Sequence, residues 1–134
     1  MPWLRVALAQ VNPTVGDIDG NADLVARWTA HAVAQGAHLV LFPEMVLTGY
    51  PIEDLALRHS FVDAARGSTQ TLARRLADDG YGEVVVVVGT LDRDADVTDG
   101  LGVPKGAPQN VAAVLHRGDV VARYAKHHLP NYGV

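Results

Sequence analysis

Two side chains in this sequence stand where a folded chain could use them for acid–base and charge-stabilising chemistry. Glu44 closes the stretch Phe42-Pro43-Glu44 directly after an apolar run, and Lys126 follows a second one, Val120-Val121-Ala122-Arg123-Tyr124. Active sites of α/β proteins lie at the carboxyl ends of strands, so both positions invite a chemical role. A carboxylate drawn partly out of water there is expected to have a raised pKa and to act as a general base. A lysine can stabilise an oxyanion or be activated by burial. Each also has an ordinary structural use: Glu44 as a solvated loop acid or turn cap, Lys126 as a lysine laying its stem along apolar surface. The pair gains meaning only if the fold joins the two strand ends. Tyr50 and Tyr132 could line a pocket with an apolar face and a hydroxyl, or simply pack. Gly49 and Pro51 around Tyr50 imply a tight, rigid loop.

Other signals fall short of a site. Asp92, Asp94 and Asp96 mimic the start of a calcium loop, but Val97 stands where its glycine belongs and Val103 where its closing glutamate belongs. Gly100, Gly102 and Gly106 have the wrong spacing for a dinucleotide fingerprint, with no strand before them. Neither a Walker A sequence nor a Gly-x-Ser-x-Gly elbow occurs. His127 and His128 are adjacent, so in an extended segment they point to opposite faces and cannot readily share a metal. Ser60, with Asp63 three residues on, is better used as a helix cap than as a nucleophile.

The elements that must position Glu44 and Lys126 follow from the apolar pattern. Residues 4–10 read as a strand, and Asn12-Pro13 with Gly16-Asp17 mark a turn. Asn21 is a candidate N-cap with Asp23 in the first turn. Leu24, Val25, Trp28, Ala32 and Val33 then share one helical face, and Gly36 is the expected stop. Residues 38–42 read as a strand buried on both faces. A loop over 43–59 contains a short helical piece near 53–58. A second helix over 61–77 turns Phe61, Ala65, Leu72 and Leu76 inward. Residues 84–88 form another buried strand, 92–109 a long surface loop, and 111–116 and 120–124 a hairpin around Arg117-Gly118-Asp119. The order β-α-β-α-β-β-β predicts an α/β layered domain with a mixed sheet and a right-handed first crossover.

The 134 residues are enough for one domain with a real core. Net charge is −4 and the basic residues are scattered, so there is no electrostatic footprint for nucleic acid. No stretch reads as a membrane span or a signal peptide, since the apolar part of residues 4–9 is too short. There is no cysteine, which removes a disulfide framework, a thiolate zinc site and a thiol nucleophile from these residues and suits a cytoplasmic protein. The final residues carry neither a polar tail nor a capped helix, so Val134 is expected to be a truncation point inside a domain.

With Phe42-Pro43-Glu44 and Tyr124-x-Lys126 both in view, the chain resembles the nitrilase superfamily of carbon-nitrogen hydrolases. Val6-Ala7-Leu8-Ala9-Gln10-Val11-Asn12 fits the same group. The stretches Thr48-Gly49-Tyr50-Pro51-Ile52-Glu53-Asp54-Leu55 and Leu129-Pro130-Asn131-Tyr132 are similar to one branch, the glutaminase domain of glutamine-dependent NAD synthetases. The resemblance implies a four-layer α-β-β-α sandwich of which residues 1–134 are the amino-terminal half. It implies that Glu44 matches the general base and Lys126 the lysine that stabilises the tetrahedral intermediate. Tyr50 and Tyr132 match residues lining the glutamine pocket. The nucleophile would be a cysteine beyond Val134, so the isolated chain is expected to be inactive. The resemblance further implies a synthetase domain in the same full-length chain that uses ATP and magnesium, with no cofactor in these residues, and a homo-oligomeric assembly. A free-standing amidase of the superfamily, or a catalytically dead α/β binding module, are the competing readings.

Overall fold

The computed structural model describes residues 2–93 and 108–127. The chain runs β1 (Val6–Leu8), α1 (Ile18–Ala34), β2 (Leu39–Leu41), a 3-10 turn (Glu53–Leu57), α2 (His59–Asp78), β3 (Val85–Arg93), β4 (Pro108–His116) and β5 (Asp119–Ala125). The strands lie side by side in chain order. β1, β2 and β3 are parallel, and β3, β4 and β5 are antiparallel. This is the mixed α/β sheet that the apolar pattern predicts.

The topology explains the layering. Two successive parallel crossovers step in the same direction, and crossovers of one hand then place their helices on the same side of the sheet, as α1 and α2 are. There Val25 and Ala26 of α1 and Leu72 and Leu76 of α2 meet Val40, Val86, Val88 and Leu115 in one core. The opposite face alternates with it along each strand. In register it carries Val6, Leu39 and Val85, then Leu8, Leu41 and Val87. Val6 is 41% and Leu8 67% exposed, so this apolar face is uncovered at β1. The described residues thus supply one helix layer and one sheet layer. No helix among them is long and apolar enough to cross a membrane.

Several local expectations are corrected. α1 begins at Ile18 with Asp17 as its cap, accepting from the Gly20 N–H. Asn21 lies inside the helix and is buried. Its side chain bonds both the N–H and the carbonyl of Thr14 and donates to the Leu47 carbonyl. The buried face of α1 runs through Ile18, Ala22, Val25, Thr29 and Ala32, while Trp28 is exposed and packs on His31 at 5.0 Å. α2 starts before Ser60, with Arg58 at the cap position and no side-chain cap. Arg93 instead ties its first turn, donating to the His59 carbonyl and pairing with Asp63. Asp92 belongs to β3 rather than to a surface loop. It is buried between Arg66 at 3.4 Å and Arg123 at 2.8 Å, and that charge pairing makes its burial tolerable. Asp94, Asp96 and the remaining loop residues up to 107 lie outside the described residues, as do His128 and Tyr132. The hairpin matches expectation: Arg117 and Gly118 both adopt positive φ, the two-residue turn that suits strand twist.

Candidate active site

Glu44 is held by a turn built against β3. β2 ends at Leu41, and the Phe42 N–H still bonds the Val87 carbonyl. The chain then folds over Gly89. A Cβ there would lie 2.2 Å from the Met45 nitrogen and 2.7 Å from the Glu44 carbonyl carbon, so only glycine lets this backbone come so close. The Leu47 N–H bonds the Gly89 carbonyl and fixes the approach. Met45 sits at φ 56°, an unfavourable region for a residue with a side chain, and is 1% exposed. On its far side the turn rests on residues 14–16: Gly16 N–H bonds the Thr48 carbonyl, and Asn21 bridges Thr14 and Leu47. Gly49 is required there, since a Cβ would meet the Val15 backbone at 2.5 Å.

Lys126 arrives from the hairpin, one residue beyond β5. Its N–H donates to the Asn110 carbonyl at 2.9 Å. Its ammonium lies 2.9 Å from Glu44 Oε1. The Asn110 side-chain amide donates to the same oxygen at 2.6 Å. Residues distant in sequence thus converge at the carboxyl end of β2, on the uncovered face of the sheet. A cavity of about 300 Å³ opens there, floored by Val87, Gly89 and Ala112 and flanked by Tyr124.

The lysine hydrogen bond lowers the Glu44 pKa below its ordinary 4.5. Burial pulls the other way, and the Asn110 hydrogen bond and the Lys126 charge add to the lowering. This reverses the expectation of a raised pKa: the side chain is 56% exposed, and desolvation does not outweigh the hydrogen bond from the adjacent lysine. Glu44 is therefore an ionised proton acceptor at neutral pH. Lys126 presents a positive charge beside it, suited to an oxygen that becomes negative during addition to a carbonyl.

Of the residues singled out in the sequence, the structure brings Glu44 and Lys126 together. Tyr50 is 58% exposed at the end of the turn and does not line this cavity. Asn110 and Gly89 escaped the sequence reading. Asn110 fell between the loop expected over 92–109 and the strand expected from 111, and nothing in its neighbours announces a partner across β3. Among the described residues no group of three or more His, Cys, Asp or Glu side chains could hold a metal ion.

An open mixed sheet with a Glu–Lys pair at its strand ends suits a hydrolase of the nitrilase type. The carbon-nitrogen hydrolase profile matches residues 5–134, and the chain belongs to that family. Its relatives include glutamine-dependent NAD(+) synthetases, 40% identical in Thermotoga maritima and 34% identical in Acinetobacter baylyi, each over the whole chain. The chain spans only 21% and 22% of those proteins, about a fifth of their length. The glutamine-dependent NAD+ synthetase of Acinetobacter baumannii superposes with a TM-score of 0.78 at 35% identity, over 100% of this chain and 23% of that one. An amidase from Nesterenkonia sp. gives 0.71 at 28% identity, over 96% of this chain and 44% of that one. One structure of that amidase carries acrylamide added at its active-site cysteine.

Proposed function

We propose that these residues supply the base and the oxyanion-stabilising cation of a glutamine amide hydrolase. It would be the amino-terminal part of a glutaminase domain that feeds ammonia to an NAD synthetase. The observation that carries this is the 2.9 Å contact between Lys126 Nζ and Glu44 Oε1 at the strand ends. The long similarity to NAD synthetases favours glutamine as the amide.

In this reading the nucleophile is a cysteine thiol from a part of the protein beyond these residues. Glu44 takes the thiol proton as sulfur attacks the side-chain amide carbon of glutamine. Lys126 stabilises the negative oxygen of the tetrahedral adduct. Glu44 then returns the proton to the amide nitrogen, the C–N bond breaks, ammonia leaves, and a thioester remains. Water, deprotonated by Glu44, adds to the thioester and releases glutamate and the thiol. The ammonia would amidate an adenylated nicotinic acid dinucleotide in a second domain. In this reading ATP and magnesium would bind in that second domain. Tyr50, which lies outside the Glu44 cavity in the described residues, and Tyr132 would border the glutamine once the rest of the domain closes the pocket, and the assembled protein would be a cytoplasmic homo-oligomer. The 134 residues alone lack the thiol and would not hydrolyse glutamine.

Mass spectrometry of the acid-quenched full gene product after mixing with glutamine tests this. The expected result is a glutamyl thioester in the native protein, and none at the same mixing time in Glu44→Gln. Unchanged thioester formation in Glu44→Gln would contradict the assignment. The Nesterenkonia likeness supports a second reading, hydrolysis of a small amide without a synthetase. Turnover of small aliphatic amides faster than glutamine would favour it.

A further inference from the structure

We propose that Asn110 is a positioning residue that fixes which oxygen of Glu44 accepts the proton. This rests on the reading of Glu44 as the base. Asn110 is 8% exposed and belongs to β4, paired with Leu91 of β3. It holds both members of the pair at once. Its carbonyl accepts from the Lys126 N–H at 2.9 Å, and its side-chain amide donates to Glu44 Oε1 at 2.6 Å. An ionised carboxylate only accepts hydrogen bonds, so the amide must turn its nitrogen toward Glu44. Lys126 Nζ bonds the same oxygen at 2.9 Å. Two donors thereby occupy Oε1, while Oε2 receives none among the described residues and is the oxygen left to take a proton.

Lysine alone cannot set this geometry. Its ammonium is a compact charge on a flexible stem, and here the side chain is 42% exposed. A planar amide on a buried strand fixes the carboxylate's orientation as well as its position. Among the described residues, the titratable groups lining the cavity around Glu44 are Lys126 and Tyr124, both from the β5 end. The β3 and β4 residues there, Val87, Gly89, Asn110, Val111 and Ala112, carry none. Among the described residues, deleting the amide donor therefore leaves only Lys126 to favour the ionised carboxylate.

The test uses the full gene product and the pH profile of kcat/KM for glutamine. Asn110→Asp keeps the side-chain shape and replaces the donor by a second carboxylate. It should move the acid limb to higher pH and lower kcat about ten- to a hundred-fold, with KM for glutamine little changed. Asn110→Ala should move the limb the same way by less. An acid limb at its native position in both variants overturns the proposal. If Asn110→Asp fails to fold by circular dichroism, Asn110→Ser decides: it is uncharged, smaller and too short to reach Glu44, so a native limb there overturns the proposal equally. Glu44→Gln runs beside them. If that variant keeps full activity, the base reading falls and takes the positioning role with it. If it is inactive while the Asn110 variants keep a native limb, only the positioning role fails.

Discussion

The two faces of the sheet have different work. The face under α1 and α2 is closed, with Val25, Val40 and Val88 at 0% exposure and Leu72 at 1%. The other face is open at β1, yet it holds Glu44, Lys126 and Asn110. The closed face carries the folding free energy through apolar burial, and the open face carries the candidate site. The turn bearing Glu44 connects them. It rests on the open face at Gly89 but is anchored by Asn21, which projects from a helix of the closed side. Glu44 is thus held from behind by the closed side of the molecule, and its front stays accessible.

The contrast can be broken from either side. The largest effect is expected for Leu72→Ala on the closed face, a loss of about 2–5 kcal/mol of stability in chemical denaturation. Gly89→Ala forces a Cβ into the Glu44 turn and should cost about 3 kcal/mol or more, since backbone rather than a side chain must yield. It should reduce glutaminase activity more than its stability loss explains. Asn21→Ala leaves the Leu47 carbonyl and the Thr14 N–H without their partner, and the Thr14 carbonyl with the Asp17 N–H, a cost of about 1–3 kcal/mol. Leu8→Ser on the open face should change stability by no more than about 0.5 kcal/mol in the 134-residue chain, while reducing its binding of a hydrophobic dye. A Leu8→Ser loss as large as that of Leu72→Ala would show that the open face is covered within this chain.

Protonation sharpens the same contrast. The Glu44 pKa is lowered, so its ion pair contributes fully above pH 4.5 and is lost as pH falls through the lower folded value. The acid limb of activity attributable to Glu44 should lie below pH 4.5, and a limb above it would mean that burial outweighs Lys126 in the completed site.

The sequence made the strands legible because residues 38–42 and 84–88 are apolar runs too short for helices, and because Arg117-Gly118 supplies a hairpin turn. It made Glu44 and Lys126 legible as strand-end residues. It misplaced Asn21 and Ser60, since a polar residue near a helix start reads as a cap whether it bonds its own helix or a distant loop. It left Asp92 in a loop, because the Arg66 and Arg123 that permit its burial come from α2 and β5. The direction of the Glu44 pKa and the part played by Asn110 depend on contacts between segments far apart in the chain. No local pattern encodes them.

The most direct test of the central claim is ammonia release from glutamine by the full gene product carrying Glu44→Gln, with ammonia-supported NAD synthesis as the internal control. The prediction is a glutamine-dependent rate lowered by about 10²–10⁴ while the ammonia-supported rate stays native. A native glutamine-dependent rate in Glu44→Gln would contradict the assignment of Glu44 as the base.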